Sequence, residues 1–222
     1  MIELRFKGVE RSVPAIPGNI TNLIIEVPSL LYRVLKGLFL EDDEQIMVSK
    51  DADMLSLSKE VFFVKSLFDL NPNSKKVLSM IYKQAPKAYM NDERKKVVEN
   101  IQKEISDLLD DISSEFNYPM SYDRDFNIDK IMQVSSFCYS CNESIDFLND
   151  FLSYLRAIQE ISQCHFIITF DLLSVLESEK LPDLQNELSL MGLTLINLMP
   201  SSKNGKIIGA NSILIDSDYC EI

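Results

Sequence analysis

The sequence predicts an α/β fold interrupted by a helical insertion, and three observations carry that prediction. Short runs rich in β-branched and aromatic residues lie toward both ends of the 222-residue chain, several of them separated by helical patterns. Residues 75–163 between them show almost no strand signal. Two segments of that middle region repeat apolar residues at heptad-like spacing. The expected organisation is an α/β head formed by residues 1–70 and 164–222, with a helical leg over 71–163.

The expected strands are Ile2–Phe6, Leu23–Val27, Gln45–Val48 and Val61–Leu67 early, then Phe166–Phe170, Leu193–Leu198 and Ile213–Ile215 late. Helical patterns over Ser29–Leu40 and Leu181–Met191 fall between strands, and strand–helix–strand alternation implies a mostly parallel sheet. In the leg, Val98, Ile101, Ile105, Leu108 and Ile112 form one seam. Ile145, Leu148, Leu152 and Leu155, flanked by Phe151 and Ile158, form another. Such seams suit helices packed side by side, here a hairpin or small bundle broken by the turn-like FNYPMSYDRDFN of Phe116–Asn127.

The junction within NLIIEVPSLLYRVLKGLFLE (Asn22–Glu41) sets a chemical limit. A buried strand runs straight into an amphipathic helix, the position at which nucleotide-binding proteins carry a glycine-rich phosphate loop. Such a loop needs glycines for backbone wrapping, a lysine for charge and a hydroxyl for magnesium. Val27-Pro28-Ser29-Leu30 supplies only the serine, and no glycine occurs before Gly37. The expectation is no nucleotide binding and no nucleotide hydrolysis.

No apolar run approaches the eighteen or so residues needed to span a membrane, and the mixed, charged MIELRFKGVE is not a signal peptide. A cytoplasmic protein with no membrane partner is expected, its four cysteines reduced. Acids outnumber bases 34 to 22, for a formal charge of −12, which by itself disfavours nucleic acid. The distribution says more. Lys75, Lys76, Lys83, Lys87, Arg94, Lys95, Lys96 and Lys103 face only three acids over 75–103. Over 104–129, eight acids face only Arg124. The basic arm, with Lys95, Lys96, Glu99 and Lys103 off the apolar seam, is a candidate DNA-binding set or a solvated helix face. With no aromatic interleaving, it would grip phosphates and not read bases.

The acidic turn places Asp123, Asp125, Asn127 and Asp129 at alternate positions, with Glu115 upstream. These carboxylates suit calcium, although the central glycine and final glutamate of an EF-hand are missing. The competing reading is a solvated turn with Asn127 or Asp125 capping the next helix. Cys138 and Cys141 form a C-x-x-C pair, but adjacent Cys164 and His165 are poor second ligands for zinc. Lying in the apolar, helix-like stretch Ile131–Tyr139, the pair reads as core packing. His165 is the one histidine, without a G-x-S-x-G motif or another nucleophile context, so a packing role is expected and an enzyme is not.

The ordering of parts resembles a known family, the small accessory protein of type II-A CRISPR systems that acts in spacer acquisition. Local phrases carry the likeness: Glu60–Leu70 ending in Phe68-Asp69-Leu70-Asn71, Tyr122-Asp123 leading into Ile128-Asp129-Lys130-Ile131, Ser144–Leu155 running toward His165–Phe170, and the closing Ile213–Tyr219. The resemblance implies a head derived from a P-loop ATPase core with a degenerate nucleotide loop. It also implies a homotetrameric ring with calcium ions fixing head and leg, lysines lining the hole, and double-stranded DNA entering by its ends. The implied partners are the two integration proteins and the RNA-guided nuclease of the same system. A helical protein-interaction adaptor that does not touch DNA is the alternative, and an α/β hydrolase ranks third for want of a nucleophile and base.

Overall fold

Uninterrupted apolar runs make the strands at the centre of the fold. A parallel strand covered on both faces has no solvent side, so FIITF in β7 (Phe166–Phe170) and TLINLM in β8 (Thr194–Met199) show almost no polar alternation. The computed structural model of the chain describes residues 1–124, 127–140, 146–162, 164–201 and 211–222. They divide into two compact units, one of residues 1–71 with 142–222 and the other of residues 72–141.

The first unit contains two sheets. β3 (Ile20–Ile25), β6 (Val61–Phe63), β7, β8 and β9 (Ser212–Ile215) form a five-stranded sheet in the order β6-β7-β8-β3-β9, and every pairing is parallel. Counted along the chain, this order is second, third, fourth, first, fifth. β1 (Ile2–Phe6), β2 (Val13–Pro14), β4 (Ile46–Lys50) and β5 (Asp53–Leu55) form a separate antiparallel sheet, ordered β2-β1-β4-β5. The sequence therefore locates the strands Ile2–Phe6 and Gln45–Val48 but not their sheet. Hairpin-scale antiparallel pairing and βαβ pairing use the same residue types, and β2 and β5 are too short to leave a pattern.

One buried cluster joins both sheets through α1 (Pro28–Leu40). Leu30, Val34 and Leu38 of this helix pack with Leu4, Phe6, Ile46 and Val48 on one side and Leu23, Ile25, Ile168 and Ile196 on the other. Gly37 is there for contact: a Cβ would come within 2.9 Å of the Cβ of Gln45. The alternate residues of the parallel strands, among them Ile24, Ile167 and Leu195, are buried outside that cluster. Also buried outside it are side chains of α6 (Phe147–Ser162) and α7 (Leu181–Met191). α6 buries eight of its residues, including Phe151, Tyr154, Leu155 and Ile158. Tyr154 meets Phe62 edge-on with ring centroids 6.1 Å apart.

This burial places α6 in the first unit, although the sequence reading drew the leg as far as residue 163. Its seam is real, but it is buried within the sheet-bearing unit, where α6 also meets α7. Ile145 and Ser144, from the same seam and phrase, lie outside the described residues. The strand expected over Val61–Leu67 stops at Phe63, preceded by the short α2 (Leu57–Glu60). Turn-forming Asp69, Asn71 and Pro72 follow, and Phe68 is 90% exposed.

The second unit is helical: α3 (Lys75–Tyr89), α4 (Asp92–Ser114) and α5 (Ile128–Val134). The Asn91 side chain caps α4 by accepting from the Arg94 backbone at 2.9 Å. α4 is continuous over the first seam, but none of its residues is buried. Heptad spacing promised a covered seam. Ile101, Leu108 and Ile112 instead stand exposed, because no described element covers that side.

Candidate nucleic-acid interface

The eight candidate bases divide evenly between two successive helices. Lys75, Lys76, Lys83 and Lys87 lie on α3; Arg94, Lys95, Lys96 and Lys103 lie on α4; all eight are exposed. The structure brings only some of them together. Lys83 and Lys87 of α3 and Lys95 of α4 line one cleft of about 450 Å³, with Tyr82, Met90, Gln102 and Ile128 on its walls. Glu99 and Asp129 also line it, so the cleft is basic with two acids set among the lysines. A second cleft of about 370 Å³ takes Lys75 and Lys83 along α3. Lys76, Lys96 and Lys103 line neither.

Arg94 has a different task. Its guanidinium donates to the Tyr89 carbonyl at 2.5 Å, tying the start of α4 to the end of α3. Lys95 makes an exposed i,i+3 contact of 3.2 Å with Asp92, an interaction worth a few tenths of a kcal/mol, roughly, and easily exchanged for a phosphate. Chemically, the cleft offers flexible ammonium groups at a surface with no rigid donor fork. That suits phosphate oxygens and carries no base-reading geometry.

The acidic turn folds back on α4. Tyr122 donates its hydroxyl to the Asp110 carboxylate at 2.7 Å and to the Ser106 carbonyl at 3.0 Å. Hydrogen bonding to that carboxylate raises the phenol above its usual value, since losing the proton would put two anions in contact. Arg124 donates to the same Asp110 oxygen at 2.9 Å and stacks over the Tyr122 ring. Lys130 pairs with Asp123. Asn127 stands at the N-cap of α5 without a side-chain cap bond.

The three calcium candidates among the described residues are therefore not brought together. Glu115 sits at the end of α4, Asp123 holds Lys130, Asp129 lines the lysine cleft and Asp125 lies outside the described residues. Among the described residues, no group of three or more His, Cys, Asp or Glu comes together as metal ligands would. A calcium site built here would have to draw Asp123 away from Lys130.

At the strand–helix junction, Val27 precedes α1 in extended conformation and Pro28 opens the helix. The Ser29 hydroxyl lies 3.0 Å from the Tyr219 hydroxyl. Tyr219 comes from the turn after β9, where Asp216 accepts from the backbones of Asp218 and Cys220. A tyrosine thus stands against the first turn of α1, the place where a phosphate loop would put its ligand. Nothing in the local sequence of Ser29 indicates this contact, which spans 190 positions.

Cys138 is exposed beyond the end of α5, so the core role expected for it is corrected. The helix stops at Val134, and Ser136 turns the chain with φ of 52°. Cys141 lies outside the described residues. Cys164 is buried, and burial pushes its thiol up to about 11, leaving it protonated and unreactive near neutrality. His165 joins its Nδ1 to the Glu60 carboxylate at 2.5 Å and its backbone N–H to the Glu60 carbonyl at 3.0 Å. It fastens the start of β7 to the end of α2.

Fold and surface together define an α/β protein with an inserted helical unit that carries a basic cleft. Among the described residues, no helix is long and apolar enough to cross a membrane. The chain belongs to the family of the CRISPR-associated protein Cas_Csn2, whose model matches residues 39–219. Its fold is similar to that in the crystal structure of Stu0660 of Streptococcus thermophilus, with a TM-score of 0.52 at 16% identity, covering 90% of this chain and 68% of that one. No curated protein matches the chain.

Proposed function

We infer that this chain, by its family, has a CRISPR-associated role. We propose that it fulfils the role without catalysis, by binding double-stranded DNA through its phosphates, in a homotetrameric ring that admits the duplex by its ends during type II-A spacer acquisition. The observation that carries this reading is the convergence of Lys83, Lys87 and Lys95 from two helices on one cleft, in a chain whose net charge is −12. An acidic protein that gathers lysines locally concentrates its attraction for phosphate there and repels it elsewhere. Lys75, Lys76, Arg94, Lys96 and Lys103 extend the basic surface. Four copies around one duplex would multiply a modest grip.

The parallel sheet supports descent from a P-loop ATPase core. Its first strand, β3, lies between the fourth and fifth, so the first strand–helix junction falls at the change in strand order, where open α/β sheets place ligands. Glycines and lysine are missing there, and Tyr219 stands in the way. The integration proteins and the RNA-guided nuclease are the proposed partners. Calcium is proposed as a structural ion of the acidic turn. In that case Asp123→Asn should reduce the calcium-dependent rise in melting temperature, and Lys130→Ala should enhance it, since the lysine competes for the same carboxylate.

The test is a binding isotherm over a range of salt concentrations, with linear and relaxed covalently closed DNA. Each phosphate neutralised contributes a slope of about −0.9 in log affinity against log salt. Lys83→Ala, Lys87→Ala and Lys95→Ala combined should flatten the slope and weaken all sequences alike. The closed circle should compete poorly. Equal affinity for the circle would remove the ring-on-an-end mechanism, and no DNA binding at all would leave the adaptor reading.

A further inference from the structure

β9 is an edge strand of the parallel sheet, with β3 as its one neighbour in the strand order. Its other side is covered by residues 220–222, which turn back after Asp216 and run antiparallel to it. The Leu214 and Ile222 backbones exchange hydrogen bonds of 2.9 and 3.1 Å, and Ile215 faces Glu221. An open strand edge attracts a further strand, and here the chain itself supplies one.

Glu221 fixes the register of that pairing. Its carboxylate accepts from the Glu10 backbone N–H at 2.6 Å and from the Arg11 backbone N–H at 3.0 Å, with the Arg11 guanidinium 3.4 Å away. Successive backbone N–H groups that converge on one anion form a nest, and the guanidinium adds a full positive charge. The Glu221 side chain is only 9% exposed. The large side chains beside it are not so held: Tyr219 is 59% and Ile222 64% accessible, and Tyr219 adds one hydroxyl contact with Ser29. Backbone pairing and one carboxylate therefore hold the segment, with no apolar anchor. A strand that offers the same groups replaces such contacts like for like.

The segment is also shorter than the groove it lies in. A strand antiparallel to β9 that continued past the position of Ile222 would next meet Ile213 and Ser212. These two residues line a cleft of about 260 Å³ together with Arg11, Pro14, Asn19 and Asn211. The Ser212 Oγ is buried and, among the described residues, has no hydrogen-bond partner. Nest and cleft share Arg11 and both border β9, so they make one groove, of which Glu221 and Ile222 take a part.

We propose that this groove is a docking site for an extended segment of a partner protein, added antiparallel to β9 with a glutamate in the nest, and that residues 219–222 hold it closed in cis. The seated segment states the partner's chemistry: a glutamate, an aliphatic residue after it, and further residues to pass Ser212 and enter the cleft. Backbone pairing supplies the grip and the carboxylate supplies the selection, as in other strand additions. A net charge of −12 repels acidic peptides from most of the surface, so only one that reaches the nest is retained. The longer strand makes every contact of the strap and adds the cleft, which offsets the strap's high local concentration. No residue of the groove lines the lysine cleft, so the site goes beyond the DNA reading and does not rest on it.

The test is fluorescence anisotropy of the full chain with a labelled peptide copying Tyr219–Ile222, serine replacing Cys220, continued past the isoleucine by Thr-Val-Thr. The parent should bind it weakly, against its own strap. Glu221→Ala vacates the nest and should tighten binding about tenfold, with far-ultraviolet circular dichroism confirming the fold. On that variant, a peptide with glutamine for the glutamate should bind about tenfold more weakly. Omitting Thr-Val-Thr should weaken binding several-fold. Equal binding of the glutamate and glutamine peptides would overturn the nest as reader of the partner, and the same pair on the parent decides this if Glu221→Ala does not fold. No binding to folded Glu221→Ala would overturn the docking site, and an extension without effect would remove the cleft from it. If Glu221→Ala loses the parent's mass in sedimentation velocity, the groove takes the strap of a second copy and the assignment to a partner protein is wrong.

Discussion

The two units solve opposite problems. In the first, both faces of a parallel sheet are covered by the chain itself, and Phe166, Ile167, Ile168, Leu195, Ile196 and Leu198 have no accessible surface. In the second, the longest of the described helices buries nothing and presents bases on one side and an apolar stripe on another. Hydrophobic burial contributes about 25 cal/mol per Å², so the first unit is where stability resides. The second buries little, chiefly Val77 and Ile81 of α3, and owes the rest of its form to caps and to the packing of α3 on α5. A helix is free to present a binding surface because its interior positions are not consumed by its own core.

The contrast can be broken most directly by truncating one apolar side chain in each unit. Phe166→Ala should cost about 3–5 kcal/mol, as full burial of an aromatic ring predicts. Leu108→Ala, measured by urea denaturation at high dilution, should stay within about 0.5 kcal/mol. Comparable losses at the two positions would mean that α4 is covered within the monomer.

Next in size is the polar network inside the parallel sheet. Asn197 Oδ1 accepts from the Leu172 backbone at 2.8 Å and from Thr169 at 3.4 Å, and its amide donates to Asn22 at 3.2 Å. Asn197→Ala strips partners from buried groups on two neighbouring segments, for an expected loss of about 2–3 kcal/mol in the same denaturation assay. A neutral result would show that water replaces the amide.

A smaller effect should appear at alkaline pH. Burial, with a lesser contribution from the Asp69 charge, pushes the Tyr154 phenol up to about 12 from 10.0. The folded chain then holds a proton that the unfolded chain releases. Stability from this group is intact below pH 10 and is lost as pH rises toward 12. Melting temperatures of Tyr154→Phe should fall less steeply than the parent over that interval. Parallel curves would mean the ring ionises freely.

The mildest test is chemical. The Cys164 thiol at about 11, against its ordinary 9.0, holds about 100-fold less thiolate than an unperturbed cysteine at the same pH. Under native conditions a thiol reagent followed by mass spectrometry should modify the exposed Cys138 and Cys220 first and Cys164 last. Early labelling of Cys164 would show that the α6–β7 region opens readily.

Much of this was written in the sequence itself. Patterns over Ile2–Phe6, Phe166–Phe170 and Leu181–Met191 match β1, β7 and α7 residue for residue, because local periodicity reports local burial. The missing glycines between Val27 and Leu30 were legible as chemistry, and so was the concentration of bases over 75–103. Tertiary structure decided what covers each apolar stripe. The stripes of α4 and α6 look alike in sequence, yet one stands exposed and the other is buried within the sheet-bearing unit. It also decided which of eight exposed bases converge, that Asp123 answers to Lys130, and that Tyr219 reaches Ser29 across 190 positions. The physical reason is common to all of these: periodicity states that a surface must be buried or charged, and only the path of the rest of the chain supplies the partner.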